Sequence, residues 1–292
     1  MTDHPMAGGD VDVVVTGVTG RIGGGVAREL AHHGVRQRLL VRGDVARAPA
    51  LPGAEAVVAS YDDQEALAAA FRGARTLLFV SGAEHPDRLG QHRTVARVAA
   101  QAGVEHVVYT SFLGAAADAT FTLARDHHHT ERALADAGLA VTALRDGFYQ
   151  DLLPGFFDAD GVLRSPAGDG LLMPVARRDV VAVAVATLRD ERWRGQVLDL
   201  VGPERLTLDD VARIVAGATG RALRHERESI EQAWASRRAG WPDAAEFELE
   251  AWVSTWLAVA DGSMAVDGPG DVERVLGRPP TSLVRTVRRV VR

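Results

Sequence analysis

A short apolar run at residues 11–15 leads straight into Thr16-Gly17-Val18-Thr19-Gly20-Arg21-Ile22-Gly23. The run reads as a strand buried on both faces. Gly17, Gly20 and Gly23 fit a tight turn that opens a helix, and Val26, Ala27 and Leu30 continue that helix at its own period. Strand, turn and helix N-terminus together aim backbone N–H groups and the positive end of the helix dipole at one point. Such a point suits an anion, and inside a βαβ unit the usual anion is a dinucleotide pyrophosphate. A glycine turn alone also serves plain chain reversal, so the remainder of the chain must decide.

The first half supplies the βαβ setting. Strand-like runs at 37–42, 54–60, 76–81, 106–111 and 140–145 alternate with helical patterns at 21–33, 62–71, 86–102 and 124–137. Asp62 or Asp63 can cap the second of these helices, and Gly103 and Gly138 stop the last two. Continuous apolar strands separated by helices predict an α/β fold, a doubly wound parallel sheet of the Rossmann type.

The alternation breaks at 147–175, which is rich in Gly, Pro, Phe and Asp and reads as irregular, with a short hairpin around Asp160-Gly161. Beyond it come a helix at 178–189, a strand at 197–201 and helices at 207–216, 230–238 and 247–259, with Thr207 as a cap. Trp252 and Trp256 share one helix face, as core or oligomer-interface residues do. The expected organisation is a dinucleotide-binding core over 11–147 and a small C-terminal α/β substrate lobe over 148–292. Residues from about 178 to 201 return to the core. The lobe should fold over the carboxyl edge of the sheet, where open α/β sheets bind ligands.

Composition narrows the chemistry. A net charge of −6 opposes non-specific nucleic-acid binding. With no Cys, disulfides, thiolate catalysis and cysteine metal sites are excluded. All 33 residues counted as Lys plus Arg are Arg, so no step can use a lysine ammonium. No apolar run reaches membrane-spanning length. Residues 1–10 are polar and read as a short disordered lead rather than a signal peptide. The expectation is a cytoplasmic protein with a small-molecule partner, no nucleic acid and no membrane; a homodimer is compatible with the sequence.

The end of the second strand bears on which dinucleotide is bound. An acidic residue there reads the 2′-OH of NAD, whereas an arginine accommodates the 2′-phosphate of NADP. Here the chain runs Leu39-Leu40-Val41-Arg42-Gly43-Asp44. Arg42 favours NADPH, and Asp44 leaves NADH open. Asp62 is placed to meet the adenine edge, and Ser81 and Gly82 form a small loop that lets backbone pass close to the cofactor.

These residues resemble a family. The chain is similar to the atypical short-chain dehydrogenase/reductases of the NmrA-like group, nearest in pattern to the NAD(P)H:quinone oxidoreductase and triphenylmethane reductase branch. The glycine segment carries the resemblance, followed by Val107-Val108-Tyr109-Thr110-Ser111, His127-His128-His129-Thr130-Glu131 and Leu144-Arg145-Asp146-Gly147-Phe148-Tyr149. Pro174-Val175-Ala176-Arg177-Arg178-Asp179-Val180 and Gly202-Pro203-Glu204-Arg205-Leu206-Thr207 complete it, over roughly residues 11–220. The resemblance implies an NAD(P)-binding core, with Gly17, Thr19, Gly20, Arg21, Ile22, Gly23 and Thr110 near the cofactor. Asp146 departs from the family, which usually has proline before Gly-Phe-Tyr, and this leaves the shape of the local loop open.

Most short-chain dehydrogenases rely on a Tyr-x-x-x-Lys pair, which a lysine-free chain cannot form. Candidate catalytic groups are Ser111, at the end of its strand and able to hydrogen-bond a substrate oxygen; His127, able to donate to nicotinamide ribose or substrate; and Tyr149, at the cleft mouth. Glu131, four residues after His127, could orient it. Tyr109, inside its strand, reads as packed. Three successive helical histidines point about 100° apart and cannot converge on one ion, so no metal is expected at His127-His128-His129. Phe148, Phe156 and Phe157 join Tyr149 as an aromatic wall for a flat acceptor. Hydride transfer to a quinone or conjugated dye needs little protein acid. The leading reading is therefore an NADPH-dependent reductase of a quinone-like or conjugated acceptor. The alternatives are a non-catalytic redox sensor of the NmrA type and a tailoring ketoreductase acting on an aromatic or polyketide-like carbonyl.

Overall fold

The computed structural model describes residues 11–291. The expectation for residues 1–10 lies outside the described residues. In chain order the elements of the core are β1 (Val13–Val15), α1 (Arg21–His32), β2 (Gln37–Val41), β3 (Ala54–Val58), α2 (Gln64–Phe71), β4 (Thr76–Phe79), α3 (Arg88–Gln101), β5 (His106–Phe112), α4 (Thr122–Asp136) and β6 (Ala140–Asp146). Then follow β7 (Val162–Ser165), α5 (Arg177–Arg189), β8 (Val197–Leu200), α6 (Leu208–Thr219), β9 (Arg224–Arg227), α7 (Ile230–Gly240), α8 (Glu246–Ala260), α9 (Val272–Leu276) and α10 (Leu283–Val290).

Seven strands form one parallel sheet in the order β3-β2-β1-β4-β5-β6-β8. This is the expected doubly wound α/β fold. Alternate side chains of each strand enter opposite layers. Val13 and Val15 pack with α1, α5 and α9 on one face, and Val14 packs with α2, α3 and α4 on the other. Both faces are covered, which is why the strand sequences are apolar throughout rather than alternating.

The strand order reverses between β1 and β4, and the crevice at such a switch point is where doubly wound folds take ligands. Its floor is pinned by one half-buried knot. The Tyr61 hydroxyl lies 2.7 Å from the Thr16 hydroxyl and 2.6 Å from the Val80 carbonyl, while Val80 N–H donates to Thr16 at 2.8 Å.

α5 packs on α1, and β8 pairs with β6, so this segment lies within the sheet layers. The lobe has its own core of Leu153, Phe157, Leu163, Leu208, Val211, Trp256, Val259 and Leu283, reached by Phe121, just before α4, and by Ala124 within it. One expectation fails here. Asp160-Gly161 forms no hairpin: it is a turn before β7, which pairs in parallel with the distant β9. β6 stays extended through Asp146, whose carbonyl accepts Leu113 N–H at 2.7 Å. Among the described residues, no helix is long and apolar enough to cross a membrane.

Candidate active site

The glycine turn is built as its sequence demands. Gly17 sits at φ +64°, a conformation that favours glycine, and an added Cβ would come within 2.9 Å of Val80. Gly20 N–H closes the turn on the Gly17 carbonyl at 2.9 Å. A Cβ on Gly23 would lie 2.4 Å from the Thr16 carbonyl, so glycine there lets α1 approach β1 closely.

The cradle opens into a cleft of about 390 Å³ lined by Gly17, Thr19, Gly20, Arg42, Asp44, Arg47, Asp62, Ser81 and Gly82, among others. Arg42 and Arg47 are exposed at its far end. Asp44 caps a short 3-10 turn by accepting Ala46 N–H at 2.9 Å, which occupies the oxygen nearest that backbone. Asp63, not Asp62, caps α2. Asp62 lines the cleft instead, accepting the Ser60 hydroxyl at 2.5 Å, and this bond holds its carboxyl below the usual range. Arg21 and Ile22 bring no side chain to this cleft: Ile22 enters the core beneath α1, and Arg21 lines a separate groove beside α5. From those two residues the cradle is left with backbone at the helix N-terminus.

The Ser81-Gly82 loop divides this cleft from a smaller one of about 260 Å³ and lines both. Its backbone is held by three side chains, one on β5 and two on α3. Ser81 N–H donates to Thr110 at 2.8 Å, Gly82 N–H donates to His92 Nε2 at 2.9 Å, and the Gly82 carbonyl accepts Arg88 Nε at 2.9 Å. Arg88 is a buried cation that also reaches Asp126 at 3.2 Å and His127 Nε2 at 3.1 Å. The smaller cleft brings together Thr110, Ser111, His127 and Tyr149, with Phe112, Phe121, Leu123 and Asp146.

The three candidate catalytic groups sit there in different states. Since a guanidinium only donates, His127 Nε2 accepts from Arg88, and Nδ1–H is left to donate to the Tyr109 hydroxyl at 2.9 Å. Burial and then Arg88 hold its imidazole well below the usual pKa, so it is neutral with both nitrogens engaged. Glu131 does not orient it. That carboxylate takes a bidentate grip from Arg145 at 2.9 and 2.7 Å and accepts the Ser111 hydroxyl at 2.5 Å. Tyr149 donates its hydroxyl to Asp146 at 2.8 Å, and the Arg177 guanidinium lies 5.0 Å from its ring centroid. Burial raises the Asp146 carboxyl to about 7, against partial lowering by Tyr149 and Arg177. Tyr109 is buried in the sheet, packed as its strand position implied.

The aromatic wall is not the expected one. Phe148 stacks on Trp256 at 5.2 Å, Phe156 meets the same indole at 5.7 Å, and Phe157 is buried in the lobe core. The apolar lining comes from Phe112, Phe121 and Leu123. Trp252 meets Trp241 at 5.0 Å, leaving Trp256 to hold the lobe. Of the three consecutive histidines only His127 is buried, and no cluster of His, Cys, Asp or Glu suited to a metal ion occurs among the described residues. Sequence reasoning passed over Arg88, His92, Tyr61 and Asp146. Arg88 and His92 lay in a helix pattern with no signal of burial, whereas Asp146 was visible as a departure from the family.

The sequence model of the NmrA-like family matches residues 10–256. The chain belongs to that family. It is 30% identical over 286 residues to quinone oxidoreductase 2 of Escherichia coli, covering 94% of this chain and 97% of the relative. It is 33% identical to a (4-alkanoyl-5-oxo-2,5-dihydrofuran-3-yl)methyl phosphate reductase of Streptomyces griseus, covering 91% and 93%. The crystal structure of the Escherichia coli quinone oxidoreductase with NADPH superposes with a TM-score of 0.86 at 28% identity, covering 96% and 100%. That of a Citrobacter triphenylmethane reductase with NADP(H) reaches 0.84 at 27% identity, covering 96% and 100%. Like these relatives, this NmrA-like chain is an oxidoreductase.

Proposed function

We propose that this NmrA-like protein is an NADPH-dependent reductase of a quinone-like or conjugated small molecule. The carrying observation is the pair of clefts that meet at Ser81-Gly82, one ending at Arg42 and Arg47 and the other lined by Phe112, Phe121 and Leu123. The donor set fits the dinucleotide. Gly17 and Gly20 line the cleft with backbone alone, Gly23 lets α1 sit close against β1, the N-terminus of α1 offers N–H groups to the pyrophosphate, and Arg42 and Arg47 suit a 2′-phosphate. Relatives solved with NADPH and NADP(H) support the same assignment. When bound, the reduced nicotinamide supplies a hydride.

The chain's own part is orientation and exclusion of water. Thr110, His92 and Arg88 fix the loop between the clefts, so the backbone that a bound ring would lie against is itself held in place. Phe112, Phe121 and Leu123 offer an apolar face to a flat acceptor. Ser111 turns its hydrogen towards Glu131, leaving oxygen lone pairs to the cleft, and His127 serves as a packed support.

The test is NADPH consumption with a panel of quinones, azo dyes and triphenylmethane dyes, alongside NADPH binding by fluorescence titration. The expected outcome is turnover with at least one class. Tight NADPH binding with no turnover on any acceptor would overturn the reductase in favour of a sensor.

A further inference from the structure

The three candidate catalytic groups of the smaller cleft, Ser111, His127 and Tyr149, differ in one respect. Ser111 gives its proton to a carboxylate gripped by Arg145, and His127 gives its own to Tyr109. Tyr149 gives its proton to a carboxyl that makes no ion pair with any described residue. Asp146 is 4% exposed, ends β6 and lines the cleft beside Tyr149. We propose that Asp146 and Tyr149 form a proton relay that delivers one proton to the oxygen of a neutral, carbonyl-conjugated acceptor. The proposal rests on the reductase reading above.

The relay follows from which partner holds the proton. With Asp146 ionised, the phenolic hydrogen is committed to its carboxylate and none is offered to the cleft. With Asp146 protonated, its O–H can donate to the phenol oxygen, and the phenolic hydrogen is free to turn towards substrate. As the acceptor carbon takes hydride from the reduced nicotinamide, Tyr149 releases its proton to the acceptor oxygen and takes the Asp146 proton in its place. The acceptor gains one hydride and one proton, and the nicotinamide is the species oxidised. Water reprotonates the Asp146 carboxylate once product leaves. Burial favours the protonated carboxyl, with a value of about 7. Arg177, over the Tyr149 ring, is the cation that eases transient negative charge on the phenol.

The other ionisable groups around this cleft are Glu84 after β4, Arg88 on α3 and His127 on α4. Asp151 lies beyond Tyr149 and accepts Arg177 N–H at 2.9 Å. His127 is held neutral by burial and Arg88, so it offers no competing proton near neutrality.

Two acceptors separate this relay from a structural role. Crystal violet is a cation that hydride alone neutralises, whereas 1,4-naphthoquinone needs a proton as well. In Asp146→Asn and Tyr149→Phe, the ratio of kcat for naphthoquinone to kcat for crystal violet should fall at least tenfold. The wild-type naphthoquinone kcat should decline above about pH 7, following the Asp146 carboxyl, and Asp146→Asn should lose that limb. Infrared difference spectra of the cofactor-free protein should show a protonated carboxyl at pH 5 that is missing in Asp146→Asn. An unchanged ratio, whether both rates stand or both fall, overturns the relay, as does the absence of that infrared band. Wild-type protein that binds NADPH but reduces neither acceptor overturns the reductase reading, and the relay with it.

Discussion

Arg42 stands at the end of β2, exposed, lining the larger cleft and without an ion pair to any described residue. A guanidinium in that state can meet a 2′-phosphate through two parallel N–H bonds. Arg42→Ala should weaken NADPH binding roughly tenfold to a hundredfold, as loss of a charge-assisted contact does, and leave NADH nearly unchanged. Equal losses in paired fluorescence titrations would refute the phosphate role. Asp146 makes a second prediction, about stability. Its folded value of about 7 exceeds the ordinary 3.8, so the native state binds that proton more tightly than the unfolded chain. The stabilisation is complete below the unfolded value and is lost as pH rises towards 7, and it reaches about 4 kcal/mol at most. Urea unfolding at pH 5 and pH 8 should show wild type losing about 3 kcal/mol more than Asp146→Asn between the two. Matching losses would mean that the carboxyl is not raised.

Elements were legible where sequence and packing agree locally. The strands of the sheet are apolar runs because helices cover both faces, and the glycine turn announces itself because close approach of α1 to β1 tolerates no Cβ. β7 and β9 were not legible. Arg224–Arg227 reads Arg-His-Glu-Arg, and its pairing with Val162–Ser165 depends on chain brought from far away. The same holds for the site. Arg42 and the glycines could be named from spacing, whereas the roles of Arg88, His92 and Glu131 follow from partners on other elements. The dependence of the cradle on element packing can be measured. Gly23→Ala puts a methyl against the Thr16 carbonyl and should cost about 1–3 kcal/mol through overpacking. It should also widen the turn and weaken NADPH binding. A thermal melt with and without NADPH checks both; a variant with wild-type stability and wild-type NADPH-induced stabilisation would show that the contact is not needed.

At the scale of the whole molecule, the sheet and the lobe are joined by buried polar straps rather than by a linker. Gln150, fully buried after β6, donates to the Pro174 carbonyl at 2.8 Å and the Thr281 carbonyl at 2.9 Å, and accepts the Thr286 hydroxyl of α10 at 2.5 Å. Asp179, buried in the first turn of α5, accepts Thr281 N–H at 2.6 Å and Arg278 at 2.8 Å. The C-terminal chain that completes the lobe core is thus fastened to the sheet's own helix layer, with the cleft on the joined face. The two parts should therefore unfold together. Trp234, Trp241, Trp252 and Trp256 all lie in the lobe, and only Trp193 packs beside the sheet. Tryptophan fluorescence then follows mainly the lobe, while far-ultraviolet circular dichroism follows the whole chain. In wild type the two urea transitions should coincide. Gln150→Leu leaves two carbonyls and a hydroxyl without their buried partner, at about 1–3 kcal/mol for each group that water cannot reach. In that variant the fluorescence transition should move to lower urea than the dichroism transition. Transitions that stay superimposed in the variant would place the coupling in the apolar contact between α4 and the lobe core instead of in these straps.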